Sequence, residues 1–140
     1  MVAIINRQQA HPIKTKHWVE FINRALKAVR PKSDVTIVFV RNAAMRKLNR
    51  EFRGQDQPTD VLSFPTQAEN FETENESHLG EVVISVDRAA AQAKDNGLSF
   101  GNEVEQLILH GLLHLCGYDH ETDNGEMNRL ELKLRQQLEI

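Results

Sequence analysis

Three of the six histidines in this 140-residue chain fall within eleven positions, at His110, His114 and His120, giving the spacing H-x3-H-x5-H. Imidazole is a common metal ligand, and side chains four apart on a helix lie one above the other, so His110 and His114 can address one ion. Three neutral imidazoles and one open position form the coordination set of a catalytic zinc: one Zn2+ ion, three His ligands and a water. Structural zinc takes four protein ligands and favours cysteine. The single cysteine, Cys116, lies two residues beyond His114, about 200° around a helix, and reads as packing. Metal-bound water is acidified and the ion polarises an electrophile, so the chemistry indicated is hydrolysis.

The string HGLLHLCGYDH keeps three histidines and a glycine of the zincin pattern H-E-x-x-H-x-x-G-x-x-H, but Gly111 stands where a metalloprotease carries its glutamate. Peptide hydrolysis by that route lacks its proton acceptor. Three readings follow: a metal-dependent nuclease, a metal-dependent peptidase or amidase with a base elsewhere, and a non-catalytic protein with a structural zinc. The last needs a fourth protein ligand.

These residues need elements to hold them. Val104, Leu107, Ile108, Gly111 and Leu115 share a face of a helix predicted over Glu103–Cys116, and Leu109, Leu112 and Leu113 make its other sides apolar, so it belongs in the core. Gly117 suits a left-handed stop that returns His120 over the same face. Upstream, Met1–Ile5 reads as a strand, and Thr15 as the N-cap of a helix whose apolar positions, Trp18 to Val29, recur until Pro31. Val35–Val40 reads as a strand; a helix capped by Asn42 should carry Met45, Leu48 and Phe52 inward until Gly54. Strands are expected at Val61–Pro65 and Glu81–Val86, separated by a solvated acidic loop, Gln67–His78. A helix capped by Asp87 should end at Asn96-Gly97, and a last amphipathic helix carries Met127, Leu130, Leu134 and Leu138. Without strict βα alternation, the pattern predicts one α+β domain over residues 1–140: a small mixed β-sheet packed by helices, with a zincin-like metal-binding core helix.

Composition is that of a globular chain, 40% hydrophobic and 26% charged. No apolar run is long enough for a membrane span and the first residues do not read as a signal peptide, so a cytoplasmic protein without a membrane partner is expected. The net charge of -3 argues at first against nucleic acid. It hides a division: residues 1–53 hold twelve Lys and Arg against three acidic residues, a net +9, leaving -12 for residues 54–140. Phosphate affinity follows local basic density, and Arg41 to Arg53 alone carries +4.

The His motif, Phe52-Arg53-Gly54, the segment Thr59 to Pro65 (TDVLSFP) and the segment Leu79 to Ser85 (LGEVVIS) together resemble the YbeY family of bacterial rRNA-maturation endoribonucleases, in consistent order from about residue 35 to residue 130. The resemblance implies zinc on His110, His114 and His120, and a functional role for Arg53. It also implies cleavage of single-stranded RNA in 16S rRNA 3′-end maturation and ribosome quality control, with the small subunit as partner, and makes the non-catalytic alternative a ribosome-assembly factor with a structural zinc site. A guanidinium gripping non-bridging oxygens suits phosphodiester cleavage, which makes Arg53 the candidate catalytic residue. Glu81 departs conservatively from the aspartate of the family's LGD segment. Asp60, Glu81 and Asp119 are candidates for accepting a hydrogen bond from a ligand histidine or a proton in the reaction.

Overall fold

In the computed structural model, residues 2–66 and 77–140 are described. Their elements run β1 (Ala3–Asn6), α1 (Thr15–Val29), β2 (Ser33–Val40), α2 (Asn42–Arg53), β3 (Val61–Pro65), β4 (Ser77–Ser85), α3 (Val86–Asn96), α4 (Phe100–Leu115) and α5 (Glu126–Leu138). The strands form one mixed sheet in the order β1-β2-β4-β3, parallel from β1 to β4 and antiparallel between β4 and β3. This is the α+β architecture read from the sequence. Of the acidic loop, 67–76 lies outside the described residues, while Ser77 and His78 belong to β4.

Alternation along the strands divides the interior. Val35, Ile37 and Phe39 of β2, with Val82 and Ile84 of β4, face a large core shared with α1, α3, α4 and α5. Val38, Val40 and Val83 face the other way, onto Met45 of α2. The core helix α4 is the centre of the larger layer: Ile108, Leu109, Leu112 and Leu113 are fully buried, each contributing about 1.5–3 kcal/mol through removal from water. Gly111 lets α4 sit close on the sheet. A Cβ there would lie 2.6 Å from Val82 Cγ1, and the Ser63 hydroxyl donates to the Gly111 carbonyl at 3.1 Å.

Three expected caps and one expected core residue differ. Thr15 is the first helical residue of α1, after Lys14, and caps nothing with its side chain. Asn42 is the first residue of α2; its Oδ1 accepts from the Ser85 hydroxyl, while its N–H donates to Asp87 of α3 at 2.8 Å. Asp87 therefore satisfies the start of α2 instead of its own helix, whose cap is Ser85, accepting from the Arg88 N–H. Phe52, expected inward, is 63% exposed because, among the described residues, the only helix over that side of the sheet is α2 itself, and its ring merely edges against Phe64.

Candidate metal centre

His110 and His114 project from consecutive turns of α4, and the chain then reverses. Gly117 takes φ +95°, a region open to glycine, while the Tyr118 N–H donates back to the Leu113 carbonyl. The reversal returns His120. One ring nitrogen from each histidine lies within 4.8 Å of the others, and the Nε2 atoms of His110 and His114 are 3.1 Å apart. Tetrahedral zinc with Zn–N bonds of 2.0–2.1 Å sets ligand nitrogens about 3.3–3.4 Å apart, so the trio fits one such ion with small ring movements.

Glu131, on α5, fixes the His110 ring. Its Oε1 lies 2.7 Å from His110 Nδ1, and its Oε2 accepts from Arg135 at 2.7 Å. Burial opposes the Glu131 charge, but the hydrogen bond and charge of His110, followed by those of Arg135, outweigh it and hold the carboxyl below the usual glutamate range. An ionised Glu131 puts the His110 proton on Nδ1, leaving the Nε2 lone pair turned towards His114. At 3.1 Å a proton on His114 Nε2 joins the two rings by a hydrogen bond, and a cation held by both nitrogens would take that proton's place. Burial lowers the pKa of His114, as do the charges of His110 and His120, against a hydrogen bond to the Tyr118 backbone and the Asp119 charge. A neutral ring near pH 7 is what ligation requires.

The three rings open into a cleft of about 610 Å³ that Arg53, Asp60, Asp119 and Tyr118 also line. Arg53 reaches it because Gly54 ends α2 in a left-handed turn and Asn49 Nδ2 holds the following chain through the Gln57 carbonyl at 2.8 Å. Its guanidinium is exposed, and no carboxylate pairs with it among the described residues. Its basic neighbours are partly neutralised: Arg41 binds Asp87 at 2.8 Å, Arg46 binds Asp56 at 2.8 Å, and Arg50 lies 3.7 Å from Asp56. The basic stretch is thus less uniform than its +4 suggests.

Of the three carboxylates proposed as acceptors for a ligand histidine, none does that work. Asp60 Oδ1 accepts from the Val61 N–H, Asp119 Oδ1 accepts from the Glu121 N–H, and Glu81 is exposed, one position out of phase with Val82, which faces α4. The acceptor is Glu131. Its signal was present in the sequence: a charged residue four beyond Met127 and three before Leu134 lies on the buried stripe of α5, where it needs a partner. Cys116 takes no place among the histidines; half-buried against the core, its thiol is pushed up in pKa by burial.

A family model described as Endoribonuclease YbeY matches residues 3–139. The chain belongs to the YbeY family. Among curated YbeY relatives, the Endoribonuclease YbeY of Geobacter metallireducens is 41% identical over 137 residues, covering 96% of this chain and 91% of the relative. That of Geobacter sulfurreducens is 39% identical with the same coverage, and that of Campylobacter jejuni is 44% identical over 115 residues, 82% of each chain. A Thermotoga maritima protein solved in solution superposes with a TM-score of 0.62 at 28% identity, covering 99% of this chain and 89% of that one. No helix among the described residues is long and apolar enough to cross a membrane.

Proposed function

We propose that this YbeY-family protein is a zinc-dependent endoribonuclease specific for single-stranded RNA, acting in the cytoplasm on the small ribosomal subunit, in 16S rRNA 3′-end maturation and ribosome quality control. The observation that carries the chemistry is that three converging imidazoles and the Arg53 guanidinium, unpaired among the described residues, line one open cleft. The relatives' name supports an RNA substrate.

His110, His114 and His120 would hold the zinc and leave a fourth position for water. Bound there, the ion would polarise the scissile phosphate and supply a water acidified towards neutral pH. The chain's own residues do the rest. Arg53 grips the non-bridging oxygens with parallel N–H donors and stabilises charge that grows in the transition state. Glu131 keeps His110 in the tautomer whose Nε2 can ligate. Arg41 and Arg46 are held by Asp87 and Asp56, and Arg53 is the one Lys or Arg among the described residues that line the cleft. The rival readings have less support. A zincin-type glutamate has no room at Gly111, where a Cβ already meets Val82, and no fourth Cys, His, Asp or Glu joins the trio among the described residues.

The test measures bound zinc and cleavage of a single-stranded 16S 3′ fragment by the wild type, His114→Ala and Arg53→Ala, each checked for folding. His114→Ala should lose zinc and cleavage together. Arg53→Ala should keep its zinc and fold and lose about 10²–10³ in turnover. Wild-type cleavage by a folded, zinc-free His114→Ala protein would sink the metal reading, and undiminished turnover of Arg53→Ala would remove that residue from the chemistry.

A further inference from the structure

A second cavity, of about 470 Å³, shares His110 and Asp60 with the cleft and runs on between α3, α4 and α5. It opens to solvent and its wall is mostly polar. Gln92 and Asn96 face it from α3, Glu103 and Gln106 from α4, and Arg135 from α5, beside Leu98 and Leu107. Glu103 is only 5% exposed, yet among the described residues it makes a single side-chain hydrogen bond, accepting at Oε1 from Asn96 at 3.4 Å. Arg135 donates to Glu131 through one terminal nitrogen, while its buried Nε has no acceptor. Arg135 Nε is sealed from the cavity, but the second Glu103 oxygen has no partner among the described residues and is open to a ligand.

The chemistry of the wall selects the kind of ligand. Glu103, which has no cationic partner among the described residues, disfavours a phosphate, while the amides and its second oxygen suit a neutral, flat group rich in N–H and carbonyl positions. The leucines offer apolar contact to its faces. With a phosphate in the neighbouring cleft, the group one step along the chain is a base. We propose that this cavity is a nucleobase subsite, which takes the unpaired base adjoining the cleaved phosphate and favours guanine; the proposal rests on the RNA reading of the His cleft. Guanine presents two adjacent donors, N1–H and N2–H, that match one carboxylate, and an O6 acceptor that matches an amide or Arg135. An extruded base read along this edge is how proteins recognise single strands.

Two measurements test it. In the first, ¹⁵N-labelled zinc-loaded protein is titrated with the four nucleoside 5′-monophosphates and with ribose 5-phosphate. GMP should shift the amides of Gln92, Asn96 and Gln106 saturably and bind at least about tenfold tighter than UMP, a preference that Glu103→Gln and Gln106→Leu should each reduce. Gln106 is half-buried, so its variant stands if Glu103→Gln fails to fold. Equal affinity for all five ligands overturns the subsite. In the second, single-stranded RNAs carrying one abasic nucleotide are cleaved. Removal of one base beside the cut should lower kcat/KM about tenfold in the wild type and much less in Gln106→Leu. If RNA is cleaved with no such position, the subsite falls and the nuclease reading stands. Guanine-selective binding in the cavity by a protein that cleaves no RNA would uphold the subsite and overturn the nuclease reading.

Discussion

Replacing Glu131 by alanine removes the carboxylate that fixes the His110 ring while touching none of the three imidazoles. The bond lost is short, 2.7 Å, and buried, with Glu131 only 7% exposed. Without it, His110 can rotate or carry its proton on Nε2, the nitrogen turned to His114, and each such population must be reversed before the ring can ligate. Carboxylates supporting a ligand histidine are typically worth 10–100-fold in metal affinity, so zinc binding should weaken by that factor, about 1.4–2.7 kcal/mol. Arg135 loses its partner as well, and because its side chain keeps 33% exposure this adds only about 1 kcal/mol of destabilisation. Glu131→Gln retains an oxygen that can accept from Nδ1 but not the charge, and should fall between the two. Zinc affinity is read by competition with a chromophoric chelator, and the His110 tautomer in the metal-free protein from its ring ¹⁵N shifts. A folded Glu131→Ala protein with unchanged zinc affinity and an unchanged tautomer would refute the reasoning.

Two further outcomes are expected. Gly111→Ala improves helix propensity by up to about 1 kcal/mol, but its Cβ would sit 2.6 and 3.0 Å from the two Cγ atoms of buried Val82. Overpacking of this kind costs about 1–3 kcal/mol, so denaturant unfolding should show a net loss, and combined with Val82→Ala the two changes should cost less than the sum of their separate effects; a neutral single variant would contradict the close helix–sheet contact. Asp87 is held below the usual carboxylate range: burial opposes its charge, but Arg41 and the Asn42 N–H outweigh burial. Its folded-state pKa is depressed, so its contribution is present above the unfolded value of about 3.8 and is lost as pH falls through the folded value. The wild type should therefore lose more stability below about pH 4 than Asp87→Asn does, while near neutral pH the variant should be the weaker by about 1 kcal/mol; parallel stability curves would count against this capping role.

The site was legible wherever residue type and helical spacing act together. His110 and His114, four apart on an apolar helix, and Gly117 with its left-handed turn are local facts, and the convergence of the trio follows from them once the turn closes. The caps at Thr15, Asn42 and Asp87 were not legible, because a capping side chain can serve any helix start it reaches. Asp87 serves a helix 45 positions earlier in the chain. Phe52 has the spacing of a core residue but no second layer to enter, since the sheet face beside it is covered by its own helix.

By itself, the sequence determined the α+β pattern, the metal-ready histidines and the unequal charge of the two halves, because each is set by composition or by a period of two or 3.6 residues. Tertiary structure decided which partners those groups have. It joined Glu131 of α5 to His110, neutralised Arg41 and Arg46 with carboxylates from elsewhere in the chain, and left Arg53 facing the histidines. Those pairings depend on how helices cross and where turns end. Short-range periodicity carries no information about either, and a buried charge indicates only that a partner exists, leaving its identity to the fold.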